Sequence, residues 1–535
     1  MQANLPLNEP VLDYAPGAPE RAAIAAALRR HDGVVTEIPL VIGGERLYGI
    51  GTQSLHVPHH HARVLASVSQ AGTAEVQRAV AAAVAAQHAW AALPFDARAA
   101  IFLRAADLLA GPWRQRLNAA TMLGQSKTVY QAEIDAACEL IDFLRFNVAF
   151  ARDLQQQQPL SPRGMRNMMD YRPLEGFVYA VTPFNFTAIA GNLPCAPALL
   201  GNTVVWKPAF TASLSNYLVM ELLEAAGLPP GVINFVPGPA AAISAAVLDS
   251  PDFAGLHFTG STEVFDDLWQ QVAHRLSRYR GYPRLVGETG GKDFVVAHRS
   301  ADAEAVAVAL LRGAFEYQGQ KCSAASRAYL PASLWPRIKA RLLDDLGTLR
   351  MGDVEDLGNF MGAVIDRKAF QRIAGHIDGA RAAGHAILAG GQYDDRHGYF
   401  VPPTVIQVSE PQAVTMREEI FGPVLSVMVY PDHAWTEVLS TVDATSPYAL
   451  TGAVFATERA ALEEAARCLR FSAGNFYLND KPTGAVVGQQ PFGGGRRSGT
   501  NDKAGSILNL QRWTSPRTLK ETWVPATDYR YPHMT

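Results

Sequence analysis

Only four cysteines occur in 535 residues, Cys138, Cys195, Cys322 and Cys468, and none forms a Cys-x-x-Cys pair. That scarcity argues against a disulfide framework and against a structural zinc site, both of which need clustered sulfur. An excess of charge of one sign is also missing: 47 Lys and Arg face 50 Asp and Glu, a formal net charge of -3. Such a balance gives no basic surface for nucleic acid, and no nucleic-acid partner is expected. Long apolar runs are absent. The longest Ala-rich stretch, AEVQRAVAAAVAAQHAWAAL, is interrupted by Arg78, Gln87 and His88, so it predicts a helix in water and not a membrane span. The opening MQANLPLNEPVLDYAPGAPE has no Lys or Arg before Arg21, so neither a secretory signal nor an Arg-rich transit peptide is expected, and the default location is cytoplasmic.

What is present is the composition of an ordinary globular protein, 48% hydrophobic and 18% charged. The length calls for roughly two to four structural units. Residues 73 to 150 place apolar side chains at three- and four-residue spacing and predict helices. The polar, proline-marked QQQQPLSPRG from Gln155 ends them. From residue 176 the texture changes to short β-branched and aromatic runs, GFVYAVTP, NTVVWKP, GVINFVPG and GLHFTG, alternating with helical segments. That alternation predicts βαβ units on a parallel sheet, whose carboxyl edge offers a crevice for a dinucleotide even though GxGxxG is absent. A second αβ series is expected from near Leu285 to GNFYLND, with Cys322 inside it. MRNMMDYRPLEG and SPRTLKETWVPATDYRYPHMT have too few apolar residues for a core of their own. They are expected to pair with each other or with a neighbouring subunit.

Four stretches carry candidate chemistry. In FEYQGQKCSAASRAY, Cys322 reads as a small buried hydrophobe or as a nucleophile; Gly319 and Ser323 leave room for a substrate, and Lys321 would favour the thiolate. No histidine lies between 313 and 340, which weakens a Cys-His hydrolase reading. In RLVGETGGKDFVVA, Glu288 is either an ion-pair partner of Lys292 or a carboxylate whose partly apolar pocket lets it deprotonate water. In VTPFNFTAIAGNLPCAPALLGNTVVWKPA, Asn185 either caps the next helix or donates to a developing oxyanion. Gly260 and Ser261 in HFTGSTEVF precede a helix whose N-terminus would hold a pyrophosphate. The histidines His56, His59, His60 and His61 lie in a Pro-containing stretch, expected as a loop, with no Cys or carboxylate at ligand spacing, so no metal is expected there. Arg496 and Arg497 read as a solvated pair.

Taken in order, these stretches resemble the aldehyde dehydrogenase superfamily, and the likeness continues through REEIFGPV at 417 to 424 and QQPFGGGRRSGTNDKAG at 489 to 505. The resemblance implies Cys322 as nucleophile, Glu288 as the base for water and Asn185 as oxyanion donor. It implies NAD held by Thr182, Pro183, Phe184, Lys207, Gly260, Ser261, Thr262, Glu263 and Val264, with Glu419 and Phe421 at the nicotinamide ribose. The implied fold is α/β: a Rossmann-type NAD-binding domain (1–162 and 177–288), an α/β catalytic domain (289–495) and a small β-ribbon flap with tail (163–176 and 496–535). The fuller strings NEPVLDY, EIDAACELIDFLRFN, GETGGK and TGAVVGQQPFGG resemble the branch that oxidises glutamate γ-semialdehyde, the ring-opened form of 1-pyrroline-5-carboxylate, to glutamate in proline catabolism. That likeness implies a substrate carboxylate on Ser323, Gly484 and Ala485, methylenes between Phe186 and Phe492, and an ammonium near Glu139, for which Arg145 or water is the ordinary alternative partner. No proline dehydrogenase segment precedes the motifs, so a free-standing enzyme is expected, a homodimer or higher homo-oligomer, with a separate proline dehydrogenase as candidate partner. Phe210 stands where many relatives carry an acidic residue against the ribose hydroxyls, and Ala485 where they carry serine. Those two departures keep open an enzyme for another semialdehyde; a non-catalytic NAD-binding protein of the same fold is the remaining alternative.

Overall fold

The computed structural model describes residues 5–534; the outermost ends of the expected first and last segments, 1–4 and 535, lie outside it. Two seven-stranded sheets organise the chain. In the first, five strands run parallel in the order Arg284–Glu288, Phe253–Thr259, Phe177–Val181, Thr203–Lys207 and Ile233–Phe235. Their sequences are almost continuously apolar because helices cover both faces. Alternate residues feed two cores: Val178, Ala180, Val204 and Trp206 pack with the helix Thr187–Leu199, while Phe177, Tyr179 and Val205 pack with Thr73–Ala92. The strand Arg284–Glu288 belongs to this first sheet, although the sequence reading opens the second series near Leu285. Leu285 and Val286 are apolar enough for either sheet, and only their packing assigns them. An antiparallel hairpin, Leu40–Ile42 and Glu45–Leu47, completes the edge. It turns on Gly43 and Gly44 at φ 59° and 82°, the left-handed values a two-residue hairpin turn demands.

The second sheet has the order Ala386–Ala389, Thr404–Val408, Val424–Tyr430, Ala325–Pro331, Asp293–Ala297, Thr451–Phe455 and Asn475–Leu478, antiparallel only at its first pair. It too is covered on both faces. Phe294 and Tyr329 pack with Phe370 and Ile373 on one side, and Val295 and Ala328 with Val306 and Ile338 on the other. The strands Met165–Pro173 and Thr514–Thr522 pair with each other along their whole length, in the register Thr514 to Pro173 and Thr522 to Met165. Residues 496–511 do not continue this ribbon. They fold back on the first sheet, where Thr500 N donates to Gly287 O (2.9 Å) and Thr289 N to Ser498 O (3.1 Å).

The histidine run is not a loop. His56 is the second-last residue of the strand Gly51–Val57, and His60 and His61 open the strand His60–Gln70 antiparallel to it. His59, in the turn, is buried with Nδ1 3.1 Å from Ser126 Oγ. Among the described residues no helix is long and apolar enough to cross a membrane.

Candidate active site

Strand register places the candidates. Val181 lies opposite Lys207, Phe258 opposite Val181 and Thr259 opposite Glu288, so Thr182, Lys207, Gly260 and Glu288 all sit at the carboxyl edge of adjacent parallel strands. That edge is where open α/β sheets bind ligands. A crevice of about 1090 Å³ opens there, lined by Thr182, Pro183, Phe184, Asn185, Lys207, Gly260, Ser261, Glu263, Val264, Glu419 and Phe421. The helix Thr262–Ala273 points its N-terminus, with its unpaired N–H groups, into the crevice, an arrangement that suits a pyrophosphate. Thr262 itself is turned inward: Oγ1 accepts from Gly290 N (3.2 Å) and donates to Arg497 O (3.3 Å). Burial pushes Lys207 down to about 8, and no carboxylate offsets it. Phe210 is absent from the lining and packs against the core behind.

Cys322 is held by an unusual turn. Tyr317, Gln318 and Gly319 are all left-handed, at φ 49°, 55° and 64°. Two of those residues carry side chains that pay a strain cost unless their surroundings fix them. Here they do: Gln318 Nε2 donates to Ser126 O (2.9 Å) and Ala363 O (2.7 Å), and Gln320 Oε1 accepts from Ile365 N (2.9 Å). Asn185 Nδ2 donates to Gln320 O (3.1 Å), which docks the amide against the cysteine loop and leaves its second N–H for another acceptor. Burial pushes the Cys322 thiol well above its ordinary value, and Asp293, Glu288 and Glu419 add to the rise. Lys321 does not offset this as the sequence reading expects. Its Nζ points away, 3.7 Å from Asp135 and 3.6 Å from Glu316.

On its other side Cys322 lines a narrower cavity of about 320 Å³, together with Glu139, Phe186, Glu288, Ser323, Gly484, Ala485 and Phe492. The thiol therefore stands at the junction of two cavities. Glu288 is pushed well above the carboxylate range by burial, with Lys503 and the Gly494 N–H acting against it. The ordinary alternative, an ion pair with Lys292, is not formed; Lys292 is buried elsewhere and pushed down to about 7 by burial and Arg327. Ser323 Oγ lies 2.7 Å from Thr483 Oγ1, and Gly484 follows at φ 95°, presenting backbone to the cavity. Glu139 faces no arginine, since Arg145 pairs with Glu9 (2.7 Å). Burial and Asp135 raise its pKa, while Lys127 and Lys321 lower it. Lys127 Nζ, 2.6 Å from Asp135 Oδ2, lies over the Phe186 ring at 4.4 Å and fixes that wall.

Three parts of the cavity are not among the expected site residues, although the strings NEPVLDY, EIDAACELIDFLRFN and TGAVVGQQPFGG contain them. Asn8, Glu9 and Val11 line it from the N-terminal segment, with Asn8 Nδ2 donating to Asp142 Oδ2 and Val487 O, both at 2.8 Å. A π-helical stretch, Glu133–Cys138, turns Ile134, Asp135 and Cys138 toward the space beside Glu139. Thr483 supplies the hydroxyl against Ser323. All three depend on contacts between distant segments, which periodicity does not report.

A cysteine between a crevice large enough for a dinucleotide and a smaller cavity fits the dehydrogenase class, and comparison with known proteins gives the same class. Residues 51–519 match the model of the aldehyde dehydrogenase family, and the chain belongs to that family. Within it, the chain is 53% identical over 529 residues to the mitochondrial Delta-1-pyrroline-5-carboxylate dehydrogenase of Bos taurus, covering 98% of this chain and 94% of the relative. It superposes with a TM-score of 0.96 and 58% identity on Delta-pyrroline-5-carboxylate dehydrogenase from Mycobacterium tuberculosis bound with NAD, covering 100% and 99% of the two chains. A Thermus 1-pyrroline-5-carboxylate dehydrogenase with bound NAD follows at TM-score 0.92 and 33% identity, covering 98% of this chain and all of the other.

Proposed function

We propose that this chain oxidises L-glutamate γ-semialdehyde, released from 1-pyrroline-5-carboxylate, to L-glutamate with NAD. The observation that carries the reading is the position of Cys322 at the junction of the two cavities, with Glu288 on the substrate side and Asn185 on the cofactor side. Sulfur adds to the aldehyde carbon, and the oxygen gains negative charge beside the free Asn185 N–H and the Cys322 backbone N–H. When bound, NAD supplies the hydride acceptor. Loss of hydride from the thiohemiacetal carbon leaves a thioester on Cys322. Glu288 then takes a proton from water, whose oxygen attacks the thioester carbon and expels the thiolate, releasing the acid.

Substrate choice rests on the small cavity. Phe186 and Phe492 flank space for the methylenes, Ser323 with the backbone N–H groups at Gly484 and Ala485 meets the carboxylate, and Glu139 meets the ammonium. We also read the compartment as one that keeps the free cysteines reduced, the cytoplasm.

The test is NADH formation from 1-pyrroline-5-carboxylate, run beside an uncharged aldehyde of equal length and beside NADP. The semialdehyde is expected to have the larger kcat/KM, and the reverse order would end the substrate assignment. Cys322→Ala should abolish NADH formation while NAD still binds.

A further inference from the structure

The carboxylate of Glu288 is caged by a segment that the proposed reaction leaves without a role. Glu288 pairs by a backbone bridge with Gly499, and the chain then turns through Asn501 and Lys503, both left-handed at φ 56° and 54°. This returns Ala504 to an antiparallel bridge with Phe492, the wall of the substrate cavity (Ala504 N to Phe492 O, 2.8 Å; Phe492 N to Ala504 O, 3.0 Å). Between these bridges the Lys503 side chain is pinned. Its Nζ donates to Gly474 O at 2.8 Å and to Gly493 O at 2.9 Å, with Asn475 Oδ1 at 3.4 Å.

Gly493 separates this ammonium's loop from the carboxylate. A Cβ built there would stand 3.1 Å from Glu288 Oε1 and 3.2 Å from Lys503 N. The other oxygen, Glu288 Oε2, is buried and accepts no hydrogen bond. The charged and titratable groups that face Glu288 are Lys503 and Asp502 from the 498–505 segment and Cys322 from the loop before Ala325–Pro331. Asp502 is offset by Arg512 (3.3 Å), and the carboxylate that acts on Lys503 is Glu288. A buried carboxylate without an opposite charge protonates, and a protonated Glu288 takes no proton from water.

We propose that Lys503 is a positioning residue for thioester hydrolysis: pinned between the Gly474 and Gly493 carbonyls, its ammonium opposes the effect of burial on Glu288 and enlarges the ionised fraction beside the substrate cavity. The inference rests on the reading of Glu288 as the base. Lys503→Gln keeps two N–H donors for the carbonyls while removing the charge, and Lys503→Met removes both. The readout separates the two halves of the reaction: the first-turnover burst of NADH reports thioester formation, and the later steady rate, followed across pH, reports its hydrolysis. Lys503→Gln is expected to keep the burst amplitude and to move the midpoint of the hydrolysis profile upward by about one pH unit, the size of effect a nearby opposite charge has on a buried carboxylate. Lys503→Arg should restore a midpoint near that of the parent. In a Glu288→Gln background, Lys503→Gln should slow hydrolysis no further.

An unmoved midpoint in the two uncharged variants overturns the proposal, and so does additive slowing in the double variant, which marks a loop anchor only. If Lys503→Met fails to fold, Lys503→Gln alone decides. Normal hydrolysis in Glu288→Gln by itself would instead remove the base assignment, an outcome distinct from any result at Lys503.

Discussion

The Cys322 thiol is buried beside three carboxylates that push its pKa up, and no cation on its own loop pulls it down. Near neutral pH it is held as the thiol, and only the thiolate attacks an aldehyde. Glu288, raised by the same burial, lines the substrate side with Cys322 and can accept that proton only in its ionised fraction. Because both groups titrate upward of their ordinary values, the thiolate fraction grows as pH rises toward them and is lost as pH falls. The rate of the NADH burst is therefore expected to climb with pH from neutral into the alkaline range. Stopped-flow NADH traces at saturating NAD check this; a burst rate flat from about pH 7 to 9 would mean a thiolate already formed, contrary to the burial and charges around it.

At the scale of elements, the left-handed turn Tyr317–Gly319 decides where Cys322 points. Gly319 sits at φ 64°, and a Cβ there would run into Gly422 O and stand 2.9 Å from Ala314 O. Neither is the end of a flexible side chain, so the turn must shift. Gly319→Ala is expected to cost about 1–3 kcal/mol of stability from backbone strain and to lower kcat more than KM, because Cys322, the proposed nucleophile, moves while the outer walls stay. Thermal melting with steady-state kinetics tests it; an unchanged kcat would show that the turn does not set the thiol position. The sequence makes part of this legible: FVYAV and TVVWK show buried strands because both faces of a parallel sheet are dry. It does not disclose left-handed Tyr317 and Gln318, since side chains rarely adopt that region and only Ser126, Ala363 and the neighbouring helices stabilise it. The convergence of Asn185, Glu288 and Cys322 is legible only as three motifs in order, because the strand registers that join them are tertiary facts. The N-terminal wall at Asn8 leaves no periodic trace, and the spacing over 73 to 150 announces a helix at Glu133–Cys138 but not its π geometry.

The whole molecule carries one element that its own cores do not need. The ribbon Met165–Pro173 with Thr514–Thr522 has no residue of the second strand buried beyond Thr514, and Trp523 just past its end is 63% exposed. Its base is firmly set by Trp513, which is fully buried, lies 4.6 Å from the His257 ring and donates from Nε1 to Asn509 Oδ1. Beyond that anchor stand two strands paired only with each other, and such a hairpin is marginal in water. The Met165–Pro173 edge is held by the segment before it (Met169 N to Gln158 Oε1, 2.8 Å; Asn167 N to Ser161 Oγ, 3.0 Å), while the Thr514–Thr522 edge pairs with no further strand and is a template for another chain. We therefore propose that the ribbon is completed by a second copy, making a homodimer or a larger closed assembly. Removing residues 515–535 keeps Trp513 and both sheets while deleting one strand of the ribbon. Light scattering on the full chain is expected to give a multiple of the single-chain mass and on the truncated chain the single-chain mass, with the truncated protein still binding NAD at its carboxyl-edge crevice. A truncated chain that keeps the full assembly would place the contact on another surface, and a full chain that runs as a single copy would leave the ribbon's exposure to be explained by a different partner.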